Sequence, residues 1–206
     1  PQYFDKYHPF LNTVTQLGID VFSIRYSWSR ENSWLLSVNQ ATKNINDALN
    51  FVHWGKGISI FDNTEILFNY DKIFLLWFSF WGLPTIFSNH FPDVQKVLCC
   101  PFVNYPIHID WWGENLSITF DFLLKWYNNL YTFEKEWIIK ELQTINYDSS
   151  DKKSQYILIS GKYDTVIPTN EIERFLQNYS IKDKHNLEIG HSINLPQTLL
   201  FEIFQN

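Results

Sequence analysis

Short apolar runs of strand type, alternating with stretches of helical periodicity, constrain this chain more than any other feature. "IDVFSIRY" (Ile19 to Tyr26), "DKIFLLWFS", "VQKVLCCP", "SQYILISG" and a short "HNLEI" each read as a strand. Between them, Asn44 to His53 carries Ile45, Leu49 and Val52 at helical spacing, and Leu83 to Asn89 opens a helix with Pro84 in its first turn, where a missing N–H does little harm. "TNEIERFLQNY" and "PQTLLFEIFQ" supply two more helices. Residues 106–149 form a longer, aromatic-rich insertion read as mostly helical, with "ITFDFLLKWYNNLY" and "FEKEWIIKELQTI" as its pieces. This alternation predicts an α/β fold, a mostly parallel sheet with helices on both faces.

The 206 residues, 45% hydrophobic and 18% charged, suffice for one core and one domain spanning residues 1–206. A net charge of −6 without any Lys/Arg cluster argues against nucleic acid as a partner. The longest apolar run, Ile73 to Phe87, is broken by Ser79, Gly82 and Pro84 and falls short of the ~20 residues a membrane span needs. Cys99 and Cys100 are adjacent, which in a strand points them to opposite faces; this suits a reducing cytoplasm rather than a disulfide framework. There is no secretory signal pattern in the sequence. The chain contains no methionine and begins inside a helix-like stretch, "YHPFLNTVTQLGI", so a missing front end is expected.

Three segments carry candidate chemistry. In "LLWFSFWG", Ser79 stands alone at the turn between a strand and a helix. In "ILISGKYDTVIP", a strand ends at Gly161 and Asp164 follows; in "LEIGHSINLP", His191 lies between Gly190 and Ser192. Each residue has a plain structural reading as well: a small core serine, an Asx-turn aspartate, a loop histidine satisfied by backbone. Together and in this order they resemble the α/β-hydrolase family, whose nucleophile elbow, acid loop and histidine loop follow the chain order Ser, Asp, His. The resemblance implies an α/β-hydrolase fold lacking its first strands, with residues 106–149 in the place of the helical cap. It implies Ser79 as nucleophile, His191 as base and then acid, and Asp164 as the orienting carboxylate, because a serine hydroxyl needs a base and the imidazolium needs a partner. The Phe80 backbone N–H would be one oxyanion donor. The second belongs to a loop after an earlier strand and has no counterpart before "IDVFSIRY".

Two departures from the family pattern stand out. The elbow glycines are replaced by Trp77 and Trp81, whose indoles are expected to collide with neighbouring backbone. Seven glycines in 206 residues is half the usual ~7%. Nine tryptophans is correspondingly high, and together the two make an ordinary glycine content. A gene that uses UGA for glycine, read with UGA as tryptophan, would produce this pattern, with Trp28, Trp54, Trp111 and Trp112 also in glycine-like settings. Genuine tryptophans would instead favour an inactive relative.

The resulting expectation is a cytoplasmic serine hydrolase that cleaves a carboxylic ester or a small peptide or amide, with no cofactor and no metal. His8, His53, His90, His108 and His185 lack ligand spacing, as do the cysteines. A fold-sharing binding or scaffold protein is the alternative, and a different doubly wound fold with a ligand at its strand ends is a third. The chain as written is expected to be inactive and marginally stable, its upstream extension encoding a strand followed by a His-Gly or Gly-Gly loop.

Overall fold

A computed structural model of the protein describes residues 10–24, 37–59, 61–103, 134–167, 172–173 and 176–205. Its centre is a four-stranded sheet of β3 (Ile73–Phe78), β4 (Val94–Cys99), β5 (Gln155–Gly161) and β6 (Ser180–Leu187), in that spatial order. All three pairings are parallel. Ahead of the sheet come helix α1 (residues 10–16), helix α2 (Val38–Trp54) and an antiparallel hairpin of β1 (Lys56–Ile58) and β2 (Glu65–Leu67). Helix α3 (Gly82–Phe87) follows β3, α4 (Lys135–Thr144) lies between β4 and β5, and α5 (Gln197–Gln205) closes the described chain. This is the mixed α/β architecture expected from the alternating pattern.

Both faces of the sheet are covered, and side-chain alternation sorts them. Leu98, Tyr156 and Leu158 point to one face, against Val38 of α2, Leu83 and Ile86 of α3, and Ile138 and Leu142 of α4. Val97, Cys99, Ile157 and Ile159 point to the other, against Leu199 and Ile203 of α5. Burial on both faces is why these strands read as continuous apolar runs.

Neighbouring elements cap the two helices nearest the site. Glu141 of α4 accepts from Ser37 Oγ at 2.6 Å and from the backbone N–H groups of Val38 and Asn39 at 2.8 and 3.0 Å, serving the open first turn of α2. Lys96 of β4, fully buried, donates to the Thr85 and Ser88 carbonyls at the end of α3 (3.1 and 2.9 Å) and to Asp151 Oδ2 (2.8 Å).

Several expectations are corrected. Of Ile19 to Tyr26, read as a strand, residues 19–24 form no strand and residues 25–26 lie outside the described residues; Ile24 packs against the clusters around Ala41 and Ile45 without entering the β3 ladder. Strand propensity is realised only where a ladder partner is in register, and among the described residues nothing pairs with the outer edge of β3. Helix α2 starts at Val38 rather than Asn44, because Ser37 caps it by accepting from Gln40 N–H at 3.2 Å while Glu141 reaches over from α4. Strand β6 starts at Ser180, well before "HNLEI"; its Lys, Asp and His residues mark an edge strand rather than a buried one. Within the insertion, α4 is a helix as read, whereas "ITFDFLLKWYNNLY" lies outside the described residues.

Candidate functional site

Because the strands are parallel, the loops after β3, β5 and β6 leave the sheet at one edge, and each carries one of the three residues singled out in the sequence. Phe78 ends β3 in extended conformation (φ −121°, ψ 140°) and Ser79 turns the chain with φ 56°, leading through a single 3-10 turn, Ser79–Trp81, into α3. A left-handed serine costs about 1–2 kcal/mol, and here the surrounding structure holds it: the Ser79 carbonyl accepts from Phe102 N–H at 2.9 Å. Gly82 is what allows α3 to lie so close, since a Cβ there would come 2.6 Å from Pro101 Cβ and 3.2 Å from Pro101 Cα.

The Asp164 loop is closed by hydrogen bonding. Asp164 N–H donates to Gly161 O at 3.1 Å, and Asp164 Oδ1 accepts from the Val166 and Ile167 amides, both at 2.8 Å. The histidine loop is bound to it through Tyr163 N–H to Ile189 O at 3.0 Å and Lys162 N–H to Leu187 O at 2.8 Å. Gly161 sits at this seam, where a Cβ would fall 2.5 Å from Gly190 O and 2.6 Å from Ile189 O.

The three side chains meet. His191 Nδ1 lies 2.9 Å from Asp164 Oδ2, and His191 Nε2 lies 2.8 Å from Ser79 Oγ. A carboxylate only accepts, so the proton sits on Nδ1 and Nε2 offers its lone pair to the serine hydroxyl. Phe78 supports the ring from one side, with centroids 4.8 Å apart. The Asp164 side chain is 1% exposed and that of His191 19%, so the carboxylate is enclosed and the imidazole half-open. Burial alone would raise the Asp164 pKa; the His191 hydrogen bond and charge and the two amide donors outweigh it, holding the carboxyl below its ordinary value. Phe80 is the second residue of the 3-10 turn, where a backbone N–H has no partner within the helix. No second donor of this kind is assigned among the described residues.

The expected collision at the tryptophans does not occur. Trp77 and Trp81 are half-buried, packed around Ala41 of α2, and the turn keeps Ser79 in hydrogen-bonding contact with His191. Trp77 shares with Ile73 and Leu75 the face of β3 that packs on Ile45 and Leu49 of α2, and the tight approach falls at Gly82, one residue beyond Trp81. The crowded position of the turn is Gly82, not Trp77 or Trp81 as expected.

The cysteines are also corrected. Cys100 lies one residue past the end of β4 with φ 44°, a left-handed turn that breaks strand alternation. Both sulfurs consequently approach one acceptor, Ser192 O, at 3.7 Å for Cys99 and 4.0 Å for Cys100. Proximity to Cys100 and burial push the Cys99 thiol far up, while Cys100, beside Cys99, is pulled down. Cys100 also comes to the Asp164–His191 pair: one ligand-type atom from each of the three residues lies within 4.8 Å of the others. Linear spacing gave no signal for this grouping. A second group, Asp183, His185 and Glu202, lies on β6 and α5. Among the described residues no helix is long and apolar enough to cross a membrane.

The chain is similar in structure to the alpha/beta hydrolase GrgF from Penicillium sp. sh18, at 12% identity and a TM-score of 0.56 over 83% of this chain and 71% of that one. It is also similar to an uncharacterized protein from Bacillus cereus ATCC 10987, at 12% identity and a TM-score of 0.48 over 98% of this chain and 55% of that one. No protein-family model and no curated protein matches. The first likeness establishes an α/β-hydrolase-like fold.

Proposed function

We propose that this protein is a serine hydrolase that cleaves a carboxylic ester or a small peptide or amide through an acyl-Ser79 intermediate. The observation that carries the reading is a single imidazole ring in contact with Ser79 Oγ at 2.8 Å and with a buried carboxylate at 2.9 Å. Ser79 Oγ attacks the acyl carbon as His191 Nε2 takes its proton. The imidazolium is stabilised by Asp164, which stays ionised because its proton affinity is depressed. Negative charge develops on the acyl oxygen beside the Phe80 N–H. His191 then protonates the leaving group, and a water activated by the same nitrogen releases the acid. The left-handed turn at Ser79 supports this reading, since a strained residue at a strand end is a common device for presenting a reactive side chain. The chemistry draws on no cofactor, and a reducing cytoplasm suits the two free, buried cysteines.

The full-length gene product should be labelled by a fluorophosphonate probe, whereas Ser79→Ala and His191→Ala should not. A folded wild-type protein that remains unlabelled contradicts the proposal and favours a binding or scaffold protein of the same fold.

A further inference from the structure

Cys100 has no part in the acyl-transfer scheme, yet after the left-handed turn that follows β4 its sulfur lies within 4.8 Å of the Asp164–His191 pair. Thiolate, imidazole nitrogen and carboxylate oxygen together form a donor set for a borderline-soft divalent cation, and a poor one for magnesium or calcium, which take oxygen ligands. Zinc binds such donors at about 2.0–2.3 Å in tetrahedral array, so its ligand atoms stand roughly 3.3–3.8 Å apart. One ligand atom from each residue already lies within 4.8 Å of the others, so the longest separation needs closure of about 1 Å, while Nδ1 and Oδ2, hydrogen-bonded at 2.9 Å, must part by roughly 0.5 Å to admit the metal. Cys100 is fully buried and the Asp164 side chain nearly so, which leaves the half-open His191 as the side of entry.

We propose that Cys100, Asp164 and His191 form a zinc site, and that zinc bound there switches off acyl transfer at Ser79. The second half rests on the hydrolase reading; the first does not. Binding gives zinc the Cys100 sulfur as a thiolate, its proton going to solvent, and the Nδ1 lone pair of His191. The imidazole proton then moves from Nδ1 to Nε2, so Nε2 becomes a donor and can no longer take the Ser79 proton. Zinc occupies the place of the Asp164–His191 hydrogen bond and leaves Ser79 without a base.

Cobalt(II) titrated into the full-length protein reads the site independently of activity. A tetrahedral visible spectrum with a sulfur-to-cobalt charge-transfer band is expected in wild type and in Cys99→Ala, and should vanish in Cys100→Ala. Cys100→Gly, which suits φ 44°, repeats the test if the alanine variant misfolds. Zinc affinity in His191→Ala should fall by more than the roughly 10–100-fold that loss of an outer-sphere partner costs. A wild-type protein without the sulfur band, or a band that persists when Cys100 is replaced, overturns the site; binding at Asp183, His185 and Glu202 would give no sulfur band. Saturating zinc should abolish fluorophosphonate labelling of wild type and leave that of Cys100→Ala unaffected; undiminished wild-type labelling overturns the switch. A sulfur band in a protein that no probe labels, even without zinc, leaves the metal site standing and removes the hydrolase reading.

Discussion

Gly161 lies where the Asp164 and His191 loops press together, and a methyl group there would stand 2.5 Å from Gly190 O. Neither neighbour is a flexible side-chain tip, so relief requires the histidine loop to move. A displacement of about 1 Å in a reacting group can cost on the order of 10²-fold in rate. Gly161→Ala should therefore lower the fluorophosphonate labelling rate by about that factor while leaving the sheet's far-ultraviolet circular dichroism in place; a labelling rate within twofold of wild type would refute the seam's role. The tryptophans present the opposite case. Trp77 and Trp81 fit beside Ala41, so the recoded-glycine idea now stands on composition alone. It predicts UGA codons at both positions in the gene, and UGG codons would end it.

At the scale of elements, the Lys96–Asp151 pair anchors the end of α3, the helix that begins at the Ser79 turn. Burial lowers the Lys96 pKa despite its partner, whereas at Asp151 the Lys96 and Ser154 hydrogen bonds outweigh burial and lower the pKa. Replacing Lys96 by Met takes the ammonium from a carboxylate of 5% side-chain exposure, leaving it hydrogen bonds from Lys153 and Ser154 and His90 at 3.8 Å, and should destabilise the fold by about 3–5 kcal/mol in urea unfolding. A loss below about 1 kcal/mol would show that water satisfies Asp151 instead. Because the folded-state pKa of Asp151 lies below its unfolded value, its contribution is present above that unfolded value and is lost as pH falls through the folded one. Asp151→Asn should accordingly flatten the acid side of the stability profile; an unchanged slope would contradict this. Elements were legible in the sequence to the degree that burial wrote them there. β4 and β5, covered on both faces, read as apolar runs, while the three-residue strands of the β1–β2 hairpin are mostly exposed and carry no pattern. Ser79, Asp164 and His191 stood out because each follows a strand-type run. Cys100 did not, since its position depends on a single left-handed turn and on residues far along the chain.

For the whole molecule, the parallel sheet decides the outcome: it gathers three loops, distant in sequence, at one edge and places a carboxylate, an imidazole and a hydroxyl in line. Order and spacing of the strands thus account for the site's geometry, and the helices on either face hold that edge rigid. The central proposal is that Ser79 carries the acyl group. The direct measurement is to quench the full-length protein in acid while it turns over an activated ester and to map the modified peptide by mass spectrometry. The account predicts an acyl adduct on Ser79, within the peptide spanning Leu75 to Gly82, and its disappearance in His191→Ala. Ester turnover with the acyl group on another residue, or turnover undiminished in Ser79→Ala, would contradict it.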